Sequence, residues 1–126
     1  MSTVIACLFI GALLPIILSW LGGYFRMKQF GEIDNKNPRA QSARLEEAGQ
    51  RAVAAQQNAW EALAVFIAGV VAYHAGGATS DIAGTLAVIW VIGRVLHAVF
   101  YLVNLDRLRS LAFIASYGCA LALFFI

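Results

Sequence analysis

Four runs along this chain are nearly free of charge. Thr3 to Phe25 carries none, and Ala52 to Tyr73 carries only Glu61. Ile82 to Val103 carries Arg94, with His97 close by, and Leu111 to Ile126 is again uncharged. A helix needs about 20 predominantly apolar residues to cross a bilayer. The first three runs meet that length. The last has 16 residues. At 1.5 Å per residue that is about 24 Å, so it starts near Leu108 or meets a locally thin bilayer. The pattern predicts transmembrane helices at about 3–25, 50–75, 81–104 and 108–126, with one sizeable loop at about 26–49. The expected fold is an all-α integral membrane four-helix bundle.

The first helix is not read as a cleaved signal peptide. It lacks a basic leading region, its apolar run is too long, and its positive charges follow it. Pro15 falls inside it and is expected to kink it, as transmembrane helices tolerate. Gly22-Gly23 is expected to loosen its exit.

Composition agrees with the pattern. Hydrophobic residues make up 61% of the chain and charged residues 13%, against roughly 25% charged in ordinary globular proteins. The net charge of +2 is too small for a nucleic-acid footprint. Ten of the sixteen charges lie between Arg26 and Arg51. The first loop carries Arg26, Lys28, Lys36, Arg39, Arg44 and Arg51, and the third carries Arg107 and Arg109. The second loop, "HAGGATSD", and the N-terminus carry no Lys or Arg. The positive-inside rule then puts the basic loops in the cytoplasm and both termini on the other side.

Within the first loop, Gly31 to Pro38 reads as turn-rich. From Ala40 onward the sequence reads as helix that can run directly into the second span, with Gly49 weakening it. Cys7 and Cys119 lie in different apolar helices with no metal-ligand spacing, and read as small packing residues.

An ionisable group inside a bilayer is costly and normally faces the bundle interior or an aqueous cavity. Arg51, Asn58 and Glu61 recur at i, i+7 and i+10. Arg94, His97, Tyr101 and Asn104 recur at i, i+3, i+7 and i+10. On a helix each set falls within about 80° of arc, so each forms one polar stripe. Two readings follow. Glu61 and Arg94 can form an interhelical ion pair, with Asn58 as a hydrogen-bond clasp and Tyr101 as an interfacial anchor. Alternatively the stripes, with Arg107 and Arg109 nearby, form a net-positive pocket at the cytoplasmic headgroup level. Such a pocket suits a small anionic, amide-bearing ligand whose second substrate arrives through the lipid.

"NAWE" opening the second helix, "RVLHAVFYL" ending the third, the following Arg109-Ser110 and the basic first loop resemble the MAPEG family, the membrane-associated proteins in eicosanoid and glutathione metabolism. The resemblance covers nearly the whole chain. The layout "NPRA" followed by "RAVAAQQNAWEA" is similar to that of a bacterial branch of the family, which implies a bacterial inner membrane. The resemblance implies a homotrimer among membrane lipids that binds glutathione as co-substrate between subunits. It implies transfer of glutathione to lipophilic electrophiles, or reduction of lipid hydroperoxides, as the lipophilic second substrate. By the family pattern Asn58, Glu61, Arg94 and Tyr101 hold the tripeptide, with His97 and Arg26 at matching positions. Arg109, followed by Ser110, matches the arginine that stabilises the thiolate, with Arg107 as the alternative.

Two positions depart from the pattern. Well-studied members carry an arginine four residues before the Asn, and this chain has Ala54 there. Arg51 lies one turn earlier on the same side, about 4.5 Å farther along the axis, as a substitute. The acidic residue that follows the Asn-Pro turn in certain isomerases is absent, which argues against prostaglandin-type isomerisation. A MAPEG fold that binds a lipid or partner without glutathione turnover is the alternative. A small four-helix multidrug exporter is disfavoured, because its essential glutamate belongs in the first helix and none is there.

Overall fold

Ser2 begins the first helix by accepting a hydrogen bond from the Ile5 N–H on its side-chain oxygen, at 3.3 Å. The computed structural model describes all 126 residues and contains five helices and no strand. They are α1 (Thr3–Phe30), α2 (Pro38–Ala43), α3 (Glu47–Ala75), α4 (Asp81–Leu102) and α5 (Asp106–Ala122). The helix α1 continues five residues past the apolar run. Gly22-Gly23 does not end it. Gly31 does, adopting a left-handed φ of 76° that only glycine takes cheaply. Pro15 lies buried inside α1.

The loop departs from expectation at one point. Helix does not run unbroken from Ala40 into α3. It starts with Pro38 at its first turn, stops at Ala43, and resumes at Glu47. Gln29 of α1 explains the break. Its side chain donates to the Arg44 carbonyl at 3.1 Å and accepts from the Glu46 N–H at 3.0 Å. Leu45, between them, turns into the interior at 3% exposure. Backbone groups that would extend a helix are satisfied instead by a side chain some sixteen residues away in sequence. Gly49 sits within α3, where an added Cβ would lie 3.1 Å from Phe25 Cβ, so it permits close approach of α1.

Three helices, α1, α3 and α4, are long and apolar enough to cross a membrane. Eight of the ten buried positions of α3 are spaced by three or four residues: Gly49, Ala52, Ala55, Ala59, Ala62, Phe66, Gly69 and Tyr73. That spacing keeps one seam facing its neighbours. Small residues dominate the seam, as expected where lipid gives no hydrophobic drive and helices associate by close packing. Gly69 lies against the Ala120 carbonyl, and Gly93 against Ser116. At mid-bundle Phe66 stacks on Trp90 with centroids 3.9 Å apart. The outer faces are apolar and exposed, with Phe9, Ile16 and Trp20 on α1, Ile67 and Val71 on α3, and Ile89 and Ile92 on α4. An apolar surface of that extent fits a protein solvated by lipid.

The helices α3 and α4 form the centre. The helices α1 and α5 each pack on both of them and do not touch each other. Up-and-down order brings the end of α1, the start of α3, the end of α4 and the start of α5 to one end of the bundle. The basic loop lies at that end.

Candidate functional site

The α3 and α4 seams decide which polar groups turn inward. Arg94 and His97 fall on the buried seam of α4 and are 1% and 3% exposed. Asn58 is one position from Ala59 on the α3 seam and is half-buried. Gly93, packed on Ser116, lets α5 approach α4 at that level. Arg94 Nη2 donates to Asn58 Oδ1 across α3 and α4. The same nitrogen lies 3.3 Å from His97 Nδ1. Its Nε and Nη1 are buried with no hydrogen-bond partner.

Above this pair opens a pocket of about 440 Å³ between α3, α4 and α5. Asn58, His97, Tyr101, Arg109 and Ser110 line its polar side, and Phe113 and Ile114 its apolar side. Arg109 starts α5 with its guanidinium carbon 4.3 Å from the Tyr101 ring centroid. Arg107, two residues earlier, is exposed and lines no part of this pocket. Phe113 stacks on Tyr117 at 4.3 Å. A recess with Arg109 in its wall, beside aromatic and aliphatic groups, can hold an anionic group next to an apolar one.

A family model, the MAPEG family, matches residues 3–126. The chain belongs to the MAPEG family. No curated protein and no solved structure matched it.

Against the MAPEG pattern, the nine candidate residues divide into groups. Asn58, His97, Tyr101, Arg109 and Ser110 meet in the pocket. Arg94 lies behind it rather than in its wall, bonded to Asn58 and His97. Glu61 is exposed. It lies one helical position off the seam beside buried Ala62, so it points out of the bundle. Arg94 therefore takes Asn58 and His97 as partners, and the ion pair with Glu61 does not form within the chain. Arg51 donates from Nε to the Leu102 carbonyl at 3.2 Å, closing the end of α4. Asn104 is not part of the α4 stripe. The helix ends at Leu102, and Asn104 makes the turn to α5 with a left-handed φ of 61°, which asparagine tolerates better than most residues.

Arg26 lies elsewhere. It lines a second pocket of about 460 Å³ between α1, α2 and α3, with Ser19, Arg39, Ser42, Gln56, Gln57 and Trp60 among its walls. Gln41, 2% exposed, anchors this region. Its amide donates to the Glu32 carbonyl at 2.9 Å, and its oxygen accepts from the Asp34 N–H at 3.0 Å and from Arg26 Nη1 at 3.5 Å. Sequence reading missed Phe113 and Ile114 as pocket walls. A signal was present: Arg109, Ser110, Phe113, Ile114 and Tyr117 recur at helical spacing on one side of α5.

Proposed function

We propose that this MAPEG protein is a membrane-bound glutathione-dependent transferase or peroxidase acting on lipophilic electrophiles or lipid hydroperoxides. One observation carries the reading: five residues of the family's glutathione pattern, from three helices, line one pocket beside apolar walls. Glutathione supplies a thiol, which becomes a strong nucleophile as the thiolate.

The residues present fit such a ligand. The cationic Arg109, held over the Tyr101 ring, favours the thiolate over the thiol by Coulomb attraction, more so at reduced dielectric. Asn58 satisfies peptide groups that would otherwise be buried unpaired. Ser110 offers a hydroxyl beside Arg109. Phe113 and Ile114 give the lipophilic substrate an apolar approach. In transfer, the sulfur forms a bond to the electrophilic carbon, and the leaving group or opened ring takes the electron pair. In peroxide reduction two thiols supply two electrons, giving an alcohol, water and the disulfide.

A homotrimer spanning the bilayer by four helices, α5 included, completes the reading. Arg26 belongs to the family's glutathione pattern, yet it lines a pocket on the α1 side while Asn58 and Arg109 line one on the α5 side. Because α1 and α5 do not touch, a boundary between copies is the economical way to bring both pockets onto one ligand. Exposed Glu61 would then serve the glutathione amine across that boundary. Sidedness follows the Lys and Arg count, with the pockets cytoplasmic and both termini outside, in the inner membrane of a bacterium.

A second reading, lipid or partner binding without turnover, has its own support: Ala54 replaces an arginine, and Arg51 is engaged by the Leu102 carbonyl. Calorimetry of glutathione into detergent-purified protein separates the two. Saturable binding that Glu61→Ala loses supports the glutathione site. No heat at millimolar glutathione supports the second reading.

A further inference from the structure

Arg94 is the most buried cation of the chain, and the pocket does not reach it. Its guanidinium carries five N–H donors and no acceptor. Two consequences follow from chemistry alone. His97 Nδ1, 3.3 Å from Arg94 Nη2, must accept, so His97 is neutral and carries its proton on Nε2. Asn58 Oδ1 accepts from the same nitrogen, which takes one of its two lone pairs and leaves both Nδ2 hydrogens for other partners. The two hydrogens of one Nη serve both acceptors.

We infer that Arg94 is a positioning residue that sets the polarity of the pocket, fixing His97 as a hydrogen-bond donor and turning Asn58 towards donation, so that the pocket selects an acceptor-only, anionic group. Arg109 adds a further obligate donor. Tyr101 and Ser110 carry hydroxyls that adapt to either role. The lining holds no carboxylate, and Phe113 and Ile114 are apolar. The charge of Arg94 reinforces the selection. Nε and Nη1 have no partner, and Arg94 forms no bond to a carboxylate, so its positive potential acts on the recess above. A carboxylate, a thiolate or a peroxide oxygen meets matching donors there. An ammonium group meets no carboxylate there and faces the charge of Arg109, which sends the amine of a peptide ligand elsewhere. The identity of the ligand as glutathione rests on the proposed function; the donor polarity does not.

The test is a spectrum of ligand-free protein in detergent, with histidine labelled by nitrogen-15. The chain has two histidines, and His74→Gln removes the second signal; His74 is exposed at the far end of α3. The expected wild-type result is a neutral His97 with Nδ1 bare and Nε2 protonated. Arg94→Met is expected to release the constraint and give a tautomer mixture. A wild-type His97 protonated on Nδ1 overturns the inference, and so does an unchanged tautomer in Arg94→Met. If Arg94→Met does not assemble, the wild-type spectrum decides alone. Asn58→Asp adds an independent arm, because its carboxylate can pair with Arg94 while presenting an acceptor to the pocket. It is expected to lower glutathione affinity about tenfold or more, the scale of one lost charge-assisted bond. Retained affinity in Asn58→Asp overturns the anion-selecting polarity of the pocket. A wild type with the expected tautomer that binds no glutathione leaves the polarity intact and sinks the glutathione reading instead.

Discussion

The guanidinium of Arg109 lies over the face of Tyr101, 4.3 Å from guanidinium carbon to ring centroid. The two side chains come from the start of α5 and the end of α4, so the stack spans the Val103–Leu105 turn. A cation over an aromatic face is worth about 0.5–1 kcal/mol when exposed and about 2 kcal/mol when desolvated. The ring, rather than the hydroxyl, therefore aims Arg109. Tyr101→Phe should keep most of the glutathione-conjugating kcat/KM. Tyr101→Ala should lose more, by up to about 30-fold if the stack is fully desolvated. Equal losses in the two variants would assign Tyr101 a hydroxyl role instead.

Arg109 and Glu61 should separate turnover from binding. Arg109 lines the pocket and Glu61 is exposed outside it. Arg109→Ala should lower kcat with modest change in glutathione affinity, because the thiolate loses its cation. Removing one aimed electrostatic donor costs on the order of 100-fold in other enzymes. Glu61→Ala should raise the glutathione Kd and leave the kcat of saturated enzyme nearly unchanged. Steady-state kinetics over a glutathione series reads both. Loss of both quantities in both variants, with lowered thermal stability, would point to a structural role.

Packing predictions rest on two glycines that look alike in sequence. A Cβ on Gly69 would lie 2.6 Å from the Ala120 carbonyl oxygen and 3.3 Å from Leu123 Cβ. Backbone must move to accept it, so Gly69→Ala should cost about 1–3 kcal/mol. A Cβ on Gly22 meets nothing within 4 Å. Gly22→Ala removes backbone freedom inside α1 and should be neutral or stabilise by up to about 1 kcal/mol. Thermal unfolding in one detergent compares them, and the opposite ranking would refute the α3–α5 contact.

The same contrast shows what was readable beforehand. The long helices were legible because bilayer-length runs without charge have few other uses. The inward direction of Arg94 and His97 was legible because burying either on a lipid face is costly. Glu61 was harder. It sits about 100° around α3 from Ala62, and only the full three-four seam from Gly49 to Tyr73 decides which of the two turns inward. The break between α2 and α3 was not legible locally, because it depends on Gln29 from the previous helix. Asn104 reads as a continuation of the stripe until Leu102 is seen to end the helix and accept from Arg51.

That contact between Arg51 and Leu102 bears on the missing arginine at position 54. Arg51 Nε donates to a carbonyl at the end of α4, where a cation also meets the negative end of the helix dipole. Such a contact is worth about 0.3–1 kcal/mol at a partly exposed site. Arg51 is thus a helix-end residue first, and it is not free to take over the position held by Ala54, which is half-buried one turn closer to Asn58. Arg51→Ala should lower thermal stability by roughly that amount and change glutathione affinity little. Ala54→Arg should leave stability near wild type and tighten glutathione by up to about fivefold, the reach of one partly exposed charge pair. Calorimetry on the two variants decides between the roles. If Arg51→Ala loses binding while Ala54→Arg gains none, Arg51 is the ligand residue despite its bond to Leu102.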